Sequence, residues 1–352
     1  MIRNMNTADA IDRNTAPAAK KTDSRYDVLK FVLALLIVAL HTQLFPGIMK
    51  PWVRIAVPLF FMVSSFFFFR KVNKCADAAE ARAALAHFVK RSGMLYLFWF
   101  AVLLIPTIGI REYFNDGVLT GVAAMARDAV FGSTFVASWF ITANVICVCI
   151  VFAMCRFKAL IGIIGLCLFA LCCLDSNYYN AMPAWVQSLS GIFPGTQLYW
   201  SFPAAMLWVW LGMVFAGLKA VGKWQVWMAV VVLGAAMLYA EHVLVNSRHW
   251  VRDGDVYFSL AVICPAIFLW VRSLRPFSYS RSLLLRQSSV IFYCVHATVA
   301  RILWYWLRTH GYRGDIYGLS VFVITLACCV FATWLLLTLV RRKRFSWLKY
   351  AF

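Results

Sequence analysis

The stretch Asp27-Val28-Leu29-Lys30-Phe31-Val32-Leu33-Ala34-Leu35-Leu36-Ile37-Val38-Ala39-Leu40-His41 decides the fold class. Every residue between Lys30 and His41 is apolar. With its flanks, the run extends from 28 to 45, close to the roughly 20 residues a helix needs to cross the hydrocarbon layer. On a helix, eleven residues are three turns plus about 20°, so Lys30 and His41 share a face, separated by about 16 Å along the axis. Asp27 falls about 40° off the same line. An apolar helix thus carries one polar stripe, with a carboxylate and a cation near one end and an imidazole near the other. Ionisable groups inside a span are costly, and they mark functional sites by default.

Comparable apolar runs recur along the chain. Of its 352 residues, 63% are hydrophobic and 14% are charged, where a soluble domain carries roughly 25% charged residues. The excess apolar surface requires lipid as its solvent. Long uninterrupted runs with internal Gly indicate helices rather than a barrel. The chain therefore reads as an all-α polytopic membrane protein with about ten transmembrane helices, or eight or nine if a marginal run is re-entrant. The predicted spans are 28–45, 55–69, 93–110, 136–155, 159–174, 200–217, 224–240, 257–271, 288–307 and 317–340. The second is short and open to extension. Residues 1–24 are polar and read as a disordered cytoplasmic tail, residues 25–345 as the membrane domain and 346–352 as a second cytoplasmic tail. The first apolar run lacks a small-residue cleavage site behind it and reads as a retained helix.

The net charge of +20 does not indicate nucleic acid, because Lys and Arg sit in short clusters between apolar runs. With the N-terminus inside and spans alternating, inside segments hold 24 Lys and Arg and outside segments 8, with Lys30 and Arg301 in spans. That bias predicts both termini cytoplasmic. The longest early inside connection, 70–91, contains an alanine-rich stretch from Ala76 to Ala86 that is compatible with a surface helix. The eleven cysteines lie mostly within apolar runs. They show neither a zinc-like spacing nor a disulfide framework, and no metal is expected.

Lys30, ten intervening residues and His41 resemble the basic-x10-His motif of the membrane acyltransferase-3 family, bacterial surface-glycan O-acyltransferases. Arg25 to Phe31 resembles that family's entry into its first helix. Val57-Pro58-Leu59-Phe60-Phe61-Met62-Val63-Ser64-Ser65 resembles its second helix, with Ser65 in place of the usual Gly. Ser138-Trp139-Phe140-Ile141 resembles the start of a middle helix. Ser289-Val290-Ile291-Phe292-Tyr293-Cys294-Val295-His296 resembles the late segment that ends in His. The family's paired-Arg motif is incomplete: Lys90 and Arg91 are present, but no second Arg follows three residues later.

The resemblance implies transfer of an acyl group, usually acetyl, from cytosolic acyl-CoA to a carbohydrate on or crossing the bacterial inner membrane. Acyl-CoA, as acetyl-CoA, is then a cosubstrate, with no permanently bound cofactor; membrane lipid and a glycan or lipid-linked sugar are the partners. Thioester chemistry needs a base for the acceptor hydroxyl, and His titrates nearest neutral pH. His41, Lys30, Asp27 and His296 are the catalytic candidates. Lys30, Lys90 and Arg91 are the candidates for holding the phosphates of CoA; the alternatives are a snorkelling Lys30 and a purely orienting role for Lys90 and Arg91. His296 reads equally as a hydrogen-bonded packing residue.

Tyr178, Tyr179, Trp185 and Trp139 are the candidate sugar-stacking residues, with an interfacial aromatic belt as the alternative for the first three. A secondary transporter or flippase is the competing function, but no internal repeat is visible and acids are scarce within the spans. A purely structural subunit would leave the polar stripe unexplained.

Overall fold

In the computed structural model, residues 23–188, 197–312 and 315–352 are described. The rest of the predicted N-terminal tail, 1–22, lies outside the described residues, as does Arg313. The chain forms α1 (Arg25–His41), α2 (Pro46–Val53), α3 (Ala56–Val72), α4 (Ala78–Val102), α5 (Leu104–Arg111), α6 (Val118–Phe131) and α7 (Trp139–Ala153). It continues through α8 (Lys158–Ser176), α9 (Ala184–Gln187), α10 (Phe202–Gly217), α11 (Trp224–Ser247), α12 (Leu260–Ser273), α13 (Ser282–Thr309) and α14 (Gly318–Leu339). No strand occurs among the described residues.

Five helical stretches are long and apolar enough to cross a membrane: Met49–Val72, α8, α11, α13 and α14. The pair α4 and α5, bent by 72° at a short break, makes a sixth if it counts as one span. Helices α7, α10 and α12 are shorter but apolar, and α1 has 17 residues. Each predicted span coincides with one of these helices or with the bent pair. The second gains the length it lacked by running from Met49 through α2 into α3.

Two local readings are corrected. The stretch from Ala76 to Ala86 is not a separate surface helix; it is the start of α4. Asp77 caps that start, accepting from the Glu80 backbone N–H at 2.8 Å, while Glu80 accepts from the Ala76 N–H at 2.8 Å. The Asp77 carboxylate thus satisfies one donor that the first turn leaves open, and Glu80 ties back the residue before the cap, so the helix begins there and runs on to Val102. Second, residues 118–131, read as connection, form α6. Its 14 residues are too short to have been read as a span.

Helices α1 and α13 run parallel, and three contacts fix their register. At one end the Asp27 carboxylate accepts both Arg286 nitrogens at 2.9 Å and the Ser282 hydroxyl. Midway, the Phe31 and Phe292 rings lie 5.6 Å apart. Toward the other end, the His41 and His296 rings lie 5.0 Å apart. Helix α3 crosses α10 closely: a Cβ on Gly212 would sit 2.7 Å from the Met62 carbonyl oxygen and also collide with the Ser65 hydroxyl. The small partner at this crossing is therefore the glycine on α10, which leaves room for Ser65 where a glycine was expected. Small residues let helix backbones approach in this way.

Both ends of the described chain, residue 24 and the C-terminal segment, are packed against the bundle. Ser24 is buried, and its N–H donates to the Phe277 carbonyl at 2.9 Å. A 3-10 segment, Lys343–Ala351, buries Leu348 and Ala351, and Trp99 Nε1 donates to the Ala351 carbonyl at 2.9 Å. All eleven cysteines are unpaired.

Candidate active site

Helix α1 ends at His41 because the chain turns away there. The Thr42 hydroxyl folds back onto the Val38 carbonyl at 2.8 Å, and Gln43 and Phe45 both take positive φ. This puts the imidazole on the wall of a cavity of about 760 Å³. Ile37 and Leu40 of α1, Trp139 and Phe140 of α7, and Tyr199 and Trp200 before α10 also line it. From α13 come Tyr293, Ala297, Arg301, Trp304, Tyr305 and Arg308. They recur every three to four residues along one stripe of that helix, with Trp304 and Tyr305 adjacent.

His296 stands behind His41, fully buried. Its Nδ1 lies 2.8 Å from the Phe292 carbonyl, four residues back on α13. A carbonyl only accepts, so Nδ1 carries the proton and Nε2 carries the lone pair. Nε2 is buried and has no hydrogen-bond partner among the described residues. His41 likewise makes no hydrogen bond among them, so the wall of the cavity holds an imidazole free to engage a ligand. Tyr293, one turn before His296, donates to the Ala137 carbonyl. Ala137 has a positive φ just before α7, and Ser133 Oγ accepts from the Trp139 N–H at 3.1 Å. These bonds hold Trp139 at the cavity wall.

Of the predicted site residues, the fold brings His41, His296 and Trp139 together. Lys30 lies three turns from His41 on the same helix, with its ammonium 5.3 Å from the Phe67 ring centroid. The cavity reaches Ile37 and does not extend to Lys30. Asp27 is occupied as the anchor of Arg286 and Ser282 and stands about 21 Å from His41 along α1. Lys90 and Arg91 are exposed on α4, and the charges of Arg91 and Arg286 act on Lys30.

Tyr178, Tyr179 and Trp185 do not line the cavity. Tyr178 donates to Glu241 at 3.0 Å, Tyr179 lies under the Arg252 guanidinium at 4.7 Å, and Trp185 is exposed. Glu241 also accepts the Phe258 and Ser259 N–H groups and the Ser259 hydroxyl, so it caps the start of α12.

The sequence left Arg54 and Arg111 as loop cations, yet both line the cavity with Arg301 and Arg308. Arg54 sits at the break between α2 and α3 and pairs with Asp255 at 2.5 Å. Trp200 Nε1 also donates to Asp255, at 2.7 Å. The charges of Arg54 and Arg301 both act on His41. Nearby, Asp253 accepts from Ser176 at 2.8 Å and from Tyr199. Burial, reinforced by the neighbouring Asp255, raises its carboxyl to about 6.

A helical, multi-pass membrane protein with a paired-histidine cavity is the class these features define. The chain belongs to the acyltransferase-3 family, whose acyltransferase domain is matched over residues 23–350. An amino-acid racemase of Enterococcus faecalis is 32% identical over 136 residues. That alignment covers 35% of this chain and 17% of the racemase. No solved structure matches the chain.

Proposed function

We propose that the protein transfers an acetyl group from cytosolic acetyl-CoA to a hydroxyl of a cell-surface or lipid-linked glycan at the bacterial inner membrane. The observation that carries this reading is the placement of His41 on the cavity wall, with His296 5.0 Å behind it. His41 takes the proton of the acceptor hydroxyl as its oxygen attacks the thioester carbonyl carbon. The carbon–sulfur bond breaks, and the departing CoA thiolate takes the proton back from the imidazolium. The Arg54 and Arg301 charges that act on His41 are suited to the negative charge developing on the carbonyl oxygen.

Lys30, Lys90 and Arg91, with Arg286, supply cations for the phosphates of CoA. The pantetheine arm then has to cover the roughly 16 Å from Lys30 to His41, of which the cavity lines the part from Ile37 onward. Ten spans with both termini cytoplasmic would put the Lys30 end of α1 on the side where CoA is. The 24-to-8 bias in Lys and Arg and the parallel course of α1 and α13, which are the first and ninth spans in that count, support it. Topology reporters at positions 180 and 345 that fell on the same side would exclude it.

Membranes containing the protein, incubated with radiolabelled acetyl-CoA and isolated surface glycan, should move label to the glycan as a base-labile ester. No transfer above that of membranes lacking the protein, with acetyl-CoA and other acyl-CoAs alike, would refute the reading.

A further inference from the structure

We propose that the cavity takes an acceptor bearing its own anionic oxyacid group, a carboxylate or a phosphate, near the hydroxyl to be acylated. This rests on the function proposed above and names the substrate class of that site. Four arginines line the cavity, and Asp255 is the one acid among the lining residues. Asp255 is taken up by Arg54 at 2.5 Å, and Arg111 gives one amino group to the Ser133 carbonyl at 2.7 Å. The Arg301 and Arg308 side chains make no hydrogen bond or ion pair among the described residues. They are seven residues apart, which places them about 10.5 Å apart along α13 and within about 20° of one face.

An unpaired guanidinium group within a span, as Arg301 is, with a second at the end of that span, is costly unless water or a counter-ion meets it. Arginines that merely snorkel to headgroups would point away from the bundle, whereas Arg301 and Arg308 both line the cavity. Between them, Trp304 presents a buried indole N–H that has no partner among the described residues. A forked guanidinium binds a carboxylate or phosphate through two parallel hydrogen bonds, and the flanking Trp304 and Tyr305 offer flat faces to a ring. The phosphates of CoA are a poor fit here, because the cations suited to them lie about 16 Å away, at the Lys30 end of α1.

The test uses the full-length protein purified in lipid nanodiscs and measures affinity for glucuronate, inorganic pyrophosphate, glucose and acetyl-CoA. Glucuronate or pyrophosphate should bind at least about tenfold more tightly than glucose, and which of the two does so identifies the carboxylate or the phosphate as the recognised group. Arg301→Gln and Arg308→Gln should each weaken that anion by about tenfold and leave acetyl-CoA affinity within about twofold. Arg301→Lys, which keeps the charge but loses the fork and guards against a folding artefact, should fall between wild type and Arg301→Gln. Equal affinity for glucose and both anions, absence of binding included, overturns the proposal. So does a loss confined to acetyl-CoA in the arginine variants. His41→Ala separates the two readings. If it still acylates glycan, the base assignment fails while anion affinity can stand. If it loses acylation but wild type shows no anion preference, only the present proposal fails.

Discussion

His41→Ala is expected to insert and accumulate like wild type and to lose acyl transfer by a factor of about 10² to 10⁴, the usual cost of removing a general base. The expectation follows from position. His41 closes the polar stripe of α1, lines the cavity and has no hydrogen-bond partner among the described residues. Among the described residues, only the ring contact with His296 disappears with the imidazole, and the Asp27 and Phe31 contacts still hold α1 against α13, so its removal should leave the fold intact. His87→Ala and His310→Ala are the controls. Both side chains are exposed, and His310 Nδ1 is engaged with the Trp306 carbonyl at 2.9 Å. Both variants should keep near-normal transfer. The checks are label incorporation into glycan, normalised to protein recovered in the membrane, and the elution profile of the detergent-solubilised protein. Normal incorporation by a correctly inserted His41→Ala protein would remove His41 from the mechanism.

What could be read from the sequence was what a single helix determines. The α1 stripe needs only the 100° per residue of a helix and the cost of an imidazole among Leu, Val and Ala. The ten apolar runs coincide with helices because hydrophobic length survives any tertiary arrangement. The arginine-lined wall was not legible, because it is assembled from the α2–α3 break, the end of α5 and one stripe of α13. Only packing brings these together. A signal was present: Arg54, Arg111 and Arg308 run against the orientation bias, and Arg301 sits inside a span, so each needs a reason to be where it is.

The aromatic residues of the 175–200 connection misled for the opposite reason. Tyr178 and Tyr179 are committed to Glu241 and Arg252, which tie α8 to α11 and to the loop before α12. Trp139, read from a short motif, does reach the cavity. Asp27 belongs to the same lesson. Its place on the stripe suggested chemistry, but its carboxylate is filled by Arg286 and Ser282, which makes it the register pin between α1 and α13.

Replacement of His296 should separate a positioning role from a structural one. The Phe292 carbonyl fixes the proton on Nδ1, so Nε2 is an acceptor with no partner among the described residues, on a ring whose centroid lies 5.0 Å from that of His41. Once His41 has taken the acceptor's proton, its imidazolium gains from a nearby lone pair, and an oriented acceptor behind a base is the arrangement seen in catalytic triads. Removing an orienting partner typically lowers turnover and spares ground-state binding. His296→Ala is therefore expected to reduce kcat for acyl transfer by about 10²-fold, with little change in KM for acetyl-CoA. His296→Gln, whose side-chain oxygen can accept in place of Nε2, should recover part of that loss. A role confined to packing predicts a different pattern: both variants lose stability and membrane yield together, and the activity per folded molecule stays near wild type. The measurement is the kcat and KM pair for each variant, read beside a thermal unfolding curve of the purified protein. If Ala and Gln prove equally active per folded molecule, His296 is a core residue, and His41 works without an orienting partner.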